Sequence, residues 1–157
     1  MKTKIIGVSV LGVVVAAVIA AIIFVEPIDV AKPKQEEDSF KDWNRSGPFA
    51  INNFEYRVGE NVFIAVNGLR VTDVGNIVFV MPNGTTKYIT IPFNGTEKSG
   101  FNQYFKPAIS KGRGICSVDD LTGNWTVMFQ KTEYLPIKFR ILNDTIPSEI
   151  GLFQKVC

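Results

Sequence analysis

The chain has 157 residues, with 17 Lys plus Arg against 15 Asp plus Glu for a net charge of +2, and it contains no histidine. The missing histidine removes both the commonest metal ligand and the commonest general base. The surplus charge sits in Lys2 and Lys4, ahead of the first acid at Glu26, so the remaining 15 basic and 15 acidic residues cancel. A nucleic-acid binder carries a basic stripe or a high domain pI, and this balance excludes that class.

Residues Ile5 to Val25 form an uncharged run between Lys4 and Glu26-Pro27. As a helix, 21 residues rise about 31 Å, enough to cross a hydrocarbon core of about 30 Å. A cleaved signal peptide has a shorter apolar stretch and an A-x-A site. Here the nearest site is Val18-Ile19-Ala20, and no cysteine follows the run to carry a lipid. Residues 1–27 are therefore expected to be a retained transmembrane anchor, in contact with the lipid bilayer through residues 5–25. Lys2 and Lys4 place the N-terminus on the cytoplasmic side, which makes the protein a single-pass cell-membrane protein with its C-terminal domain extracellular.

Residues 28–48 hold Pro33, mixed charge and few large apolar side chains, the composition of a stalk. From Phe49, short β-rich runs alternate with turn residues. The expected strands are 49–56, 61–66, 76–81, 86–92, 101–105, 124–130 and 137–141. Asn76 to Met81 is apolar on both faces and so central. Pro82-Asn83-Gly84-Thr85 is a hairpin turn, and Pro92 puts the following strand at an edge. Trp125, Val127 and Phe129 share one face, as do Ile137, Phe139 and Ile141. Seven strands over about 95 residues match an all-β, immunoglobulin-type sandwich spanning 49–142. Residues 143–157 are expected to form a tail docked on it.

Tyr56-x-x-Gly59-Glu60-x-Val62, the Pro82-Asn83-Gly84 hairpin and Gly123-Asn124-Trp125-Thr126-Val127 resemble Ig-like sandwiches of exported prokaryotic proteins. The layout of one span plus one sandwich resembles archaeal membrane-anchored (monotopic) envelope proteins, those of ammonia-oxidising lineages among them. The resemblance implies a fold and a setting; no functional residue transfers with it.

Five N-x-S/T sequons begin at Asn44, Asn83, Asn94, Asn124 and Asn143, where chance spacing gives about one. They mark candidate glycosylation sites and an extracellular setting. Asn-Gly-Thr is also good turn chemistry, which accounts for Asn83 and Asn94 without a glycan. The two cysteines, Cys116 and Cys157, form an even pair that reads as a disulfide in an oxidising exterior. It closes a loop of about 42 residues, for roughly 4 kcal/mol in the chain-entropy picture. A bond between chains through the terminal Cys157 is the alternative.

Asp119-Asp120 is the only adjacent acid pair in the domain, and it lacks the spacing of a calcium loop. It reads as turn or cap chemistry. Lys111-Gly-Arg-Gly114 matches no phosphate-binding loop. No catalytic or metal site, no cofactor and no enzyme activity are expected. The expected role is a structural or protein-interaction module of the cell envelope, with other envelope or membrane proteins, or copies of itself, as partners. Lys111 and Arg113 mark the candidate interaction loop. The alternative is an accessory subunit of a larger membrane complex, such as an ammonia-oxidising enzyme or archaellum or pilus machinery.

Overall fold

The computed structural model describes residues 40–157. The expected span, and the stalk up to residue 39, lie outside the described residues. Among the described residues no helix is long and apolar enough to cross a membrane. Nine strands form two sheets: β1 (Asn44–Ser46), β2 (Phe49–Ile51), β3 (Glu55–Val58), β4 (Val62–Asn67), β5 (Val74–Val80), β6 (Lys87–Asn94), β7 (Gly100–Phe105), β8 (Gly123–Gln130) and β9 (Ile137–Thr145). One sheet has the order β1-β2-β4-β7 and the other β3-β9-β8-β5-β6. All pairs are antiparallel except β3 with β9.

The expected first strand, 49–56, is two strands in different sheets, which corrects the count of seven. Ile51 pairs with Ile64 of β4, whereas Glu55 pairs with Arg140 of β9. The buried positions change phase, from Phe49 and Ile51 to Tyr56 and Val58. A strand alternates faces with period two, so no single strand serves both pairs. Asn52 holds the crossover. Its Oδ1 accepts the backbone N–H of Phe63 at 3.0 Å and the Tyr56 hydroxyl at 2.7 Å. The expected stalk also ends earlier than residue 48. Asn44–Ser46 hairpins onto β2, and the Asn44 amide donates to the Lys138 carbonyl at 2.7 Å.

The rest of the strand reading holds. β5 is interior, between β8 and β6, and β6 with Pro92 is an edge. Trp125, Val127, Phe129, Ile137, Phe139 and Ile141 all point into the core. Trp125 is fully enclosed, and its indole N–H donates to the Leu121 carbonyl at 2.7 Å. That bond satisfies the one polar atom the ring buries. Around it, Phe139 stacks on Trp125 at 5.7 Å and Tyr56 meets Phe139 edge-on at 5.3 Å. At the far end of the core Phe49 stacks on Phe129 at 4.1 Å. Aromatic pairs from both sheets thus fill the interior along its length.

The C-terminal residues close one end. The N–H of Ile146 donates to the Val58 carbonyl, Lys106 pairs with Glu149 at 2.8 Å, and Phe153 is buried. Cys116 and Cys157 form an intramolecular disulfide, and the N–H of Val156 donates to the Cys116 carbonyl.

Candidate functional site

The strand registers sort the loops into two ends. Phe49 lies opposite Val66, Gly100 opposite Asn67, Asn94 opposite Val74, and Gln130 opposite Asn76. The β1–β2 turn and the loops 68–73, 95–99 and 131–136 therefore share one end. The long segment 106–122, the turn 81–86 and the C-terminal tail lie at the other. β1 starts level with the middle of the sheet and runs toward the first end, since Asn44 lies opposite Ile51 and Ile51 opposite Ile64 of β4. Trp43 just before it packs edge-on against Phe63 at 5.7 Å.

At the first end, Asp73 ties three loops together, two through its carboxylate and the third through its backbone carbonyl. Asp73 is only 3% exposed. Its Oδ1 accepts from Arg70 Nη2 at 3.0 Å. Its Oδ2 accepts from the Arg70 backbone N–H at 2.9 Å, from Arg70 Nε at 3.3 Å and from the Tyr134 hydroxyl at 3.0 Å. The Asp73 carbonyl takes the N–H of Gly95 at 2.8 Å. The Arg70 side-chain hydrogen bond, opposed by burial, holds the Asp73 carboxyl below the usual carboxylate range. Burial, reinforced by the bond to Asp73, pushes the Tyr134 phenol up. The Arg70 guanidinium lies over the Tyr134 ring at 5.7 Å, and Tyr134 meets Phe49 edge-on at 5.5 Å. A Cβ on Gly47, at φ +55°, would strike the Tyr134 ring. These bonds to Asp73 fix the loop geometry.

On this frame two apolar tips face solvent, Val71 at 69% and Leu135 at 76% exposed. A rigid base carrying exposed apolar tips is suited to contact with another macromolecule. Sequence reasoning missed this end. Its local half, Arg70-Val-Thr-Asp73, is a charge pair at turn spacing, but Tyr134 joins it from 61 residues away.

The expected interaction loop lies at the opposite end. Lys111–Arg113 is a single 3-10 turn closed by Gly114 in the left-handed region. Its base is fastened by two backbone bonds between Ser110 and Ile115. Arg113 stacks over the Tyr88 ring at 5.2 Å, and Tyr88 is itself bonded to the Lys106 carbonyl and the Ala108 N–H. Arg113 and Lys111 are both exposed, so each remains open to a partner, with Arg113 resting on the Tyr88 ring. Asp119 and Asp120 sit in the neighbouring 3-10 turn. Asp120 Oδ2 accepts the N–H groups of Cys116 at 2.7 Å and Ser117 at 3.0 Å, the cap role its sequence position indicates. Among the described residues no group of three Cys, Asp or Glu is placed to hold a metal ion.

The five sequons separate by environment. Asn83 holds its turn, with Oδ1 accepting the N–H of Thr85 and Thr86 and Nδ2 donating to Thr86 Oγ1. Asn94 does the same through Thr96 and Glu97. Asn44 is half-buried and bonded to Lys138. Asn124 and Asn143 are exposed, and Asn124 faces a shallow groove of about 590 Å³ with Phe54, Lys138 and Arg140.

Comparison with protein-family models, with curated proteins and with solved structures finds no match.

Proposed function

We propose that this chain is a membrane-anchored extracellular protein whose Ig-like sandwich serves as a structural or protein-interaction module in a cell envelope, with glycans on Asn124 and Asn143. The uncharged run 5–25 supplies the anchor. Sheet order supports the immunoglobulin-type reading: β9-β8-β5-β6 follows the G-F-C-C′ order of a variable-type domain, and β2-β4-β7 follows A-B-E. The motifs shared with exported prokaryotic sandwiches fall where that reading needs them. Tyr56 to Glu60 leads into β4, and Gly123-Asn124-Trp125 opens β8. This layout is what suggests an archaeal envelope protein.

One observation carries the functional part. Asp73 holds the loops 68–73 and 131–136 in fixed positions, and Val71 and Leu135 stand exposed at their tips. A rigid base with exposed apolar tips suits a domain that presents a contact surface to another envelope protein. The loop at Lys111 and Arg113 lies at the other end of the sandwich, with the disulfide.

Alkaline carbonate extraction, followed by native sizing in mild detergent, tests the reading. The protein is expected in the membrane pellet, and as a small glycosylated species after extraction. Release by carbonate refutes the anchor. Co-migration with a large membrane complex refutes the free-standing module in favour of an accessory subunit.

A further inference from the structure

Four strands form the outer edges of the two sheets, and three of them carry a feature that keeps a further strand from pairing. β1 is three residues long with Arg45 at its centre. β3 carries Glu55 and Arg57. β6 carries Lys87 and Pro92, which has no N–H to offer. Shortness, charge and proline are the devices by which edge strands avoid joining others. β7, Gly-Phe-Asn-Gln-Tyr-Phe, has none of them: it is six residues long, uncharged, free of proline and paired only with β4.

Its faces are also incompletely covered. Phe101, Gln103 and Phe105 lie opposite the buried Val66, Ile64 and Val62, and so face the space between the sheets. Gln103 is nevertheless exposed, because the sandwich gapes beside it. A groove of about 410 Å³ opens there, lined by Ile91 and Phe93 of β6 and Phe101 of β7. On the outer face, Tyr104 is 65% exposed.

We propose that β7 pairs antiparallel with β7 of a second copy of this chain, joining two four-stranded sheets into one of eight strands. A two-fold contact sets each strand against its own sequence, so charges near its centre would meet their like. Of the four edges only β7 is longer than three residues and free of both charge and proline. A two-fold axis perpendicular to the sheet keeps outer faces together, so the register centres on a residue. Asn102 meets Asn102, or Gln103 meets Gln103, and each amide can both donate and accept. Resting on the anchored reading above, the contact is a homophilic one between anchored copies.

The test uses the full chain with single cysteines, since both native thiols are held in the disulfide. In mild detergent, Asn102→Cys or Gln103→Cys is expected to give a disulfide-linked dimer under gentle oxidation, while Val71→Cys at the loop end gives none. Gln103→Lys, at an exposed position, is expected to weaken the dimer at least about fivefold, read by analytical ultracentrifugation, with far-UV circular dichroism unchanged. Equal cross-linking at positions 71, 102 and 103, or a dimer insensitive to Gln103→Lys, overturns the pairing.

Discussion

Replacing Asp73 by alanine removes the carboxylate that joins the loops 68–73 and 131–136. The buried Oδ2 accepts the Arg70 backbone N–H at 2.9 Å and the Tyr134 hydroxyl at 3.0 Å. A hydrogen bond to a charged group contributes about 1.5–3 kcal/mol. The network lies at one end of the molecule, with the Arg70 side chain open to water, so the low end of that range applies and the guanidinium is left out of the sum. Two such bonds give a loss of roughly 3 kcal/mol for Asp73→Ala. Asp73→Asn keeps one acceptor oxygen without its charge and should lose about half as much. Urea unfolding of the full chain in micelles measures this, as a drop in midpoint with an unchanged slope. The pH dependence gives the sign. The folded carboxyl titrates below its unfolded value, so its contribution is complete above the ordinary aspartate range and fades as pH falls through the folded value. The wild-type advantage over Asp73→Asn should therefore shrink on acidification. A loss below about 1 kcal/mol for Asp73→Ala, or a gap that widens in acid, would refute the reasoning.

Trp125→Ala should cost about 3–5 kcal/mol as a fully enclosed aromatic, and Trp125→Phe a smaller amount for the Leu121 carbonyl left unpaired; thermal unfolding separates the two. Tyr56→Phe should cost about 1–2 kcal/mol, because the phenol, pushed up by burial and so neutral, donates to Asn52 at the sheet crossover. Cys157→Ser should lower stability by up to about 4 kcal/mol and raise hydrogen exchange in residues 146–157 ahead of the strands. Asn124→Gln and Asn143→Gln should each increase gel mobility in the native host. Asn83→Gln should leave mobility unchanged and loosen the 81–86 turn, seen as faster exchange at Thr85 and Thr86.

Much of the sandwich was legible because its strands obey simple alternation. Trp125, Val127 and Phe129, like Ile137, Phe139 and Ile141, repeat at period two and face the core. Pro92 marked an edge because it cannot donate to a ladder. The split at Asn52 was also written in the sequence, as a change of phase between Phe49-x-Ile51 and Tyr56-x-Val58, but a continuous β-rich composition concealed it. β1 escaped notice because Asn-Arg-Ser has no strand propensity; its place comes from the hairpin at Gly47 and from Asn44 reaching Lys138. The loop-end network was least legible. Arg70 and Asp73 are neighbours in any reading, yet what makes Asp73 a lock is Tyr134, placed by the packing of two strands far apart in the chain. Arg113 was legible as an exposed charge in a glycine-bearing loop, whereas its place over the Tyr88 ring, 25 residues earlier, comes only from the packing. The sequons show the same limit, since Asn83 and Asn124 share a motif and are both exposed, but Asn83 uses its amide to hold its own turn.

The account's central claim is that an anchored chain carries its sandwich, with the Asp73-locked loops, on the outer side of the membrane. Val71→Cys tests it most directly, because the native cysteines are disulfide-bonded and the introduced thiol stands alone. A membrane-impermeant maleimide added to intact cells is expected to label Val71→Cys in a protein that stays in the carbonate-washed membrane pellet. Labelling that appears only after lysis, or a labelled protein released by carbonate, would contradict the account.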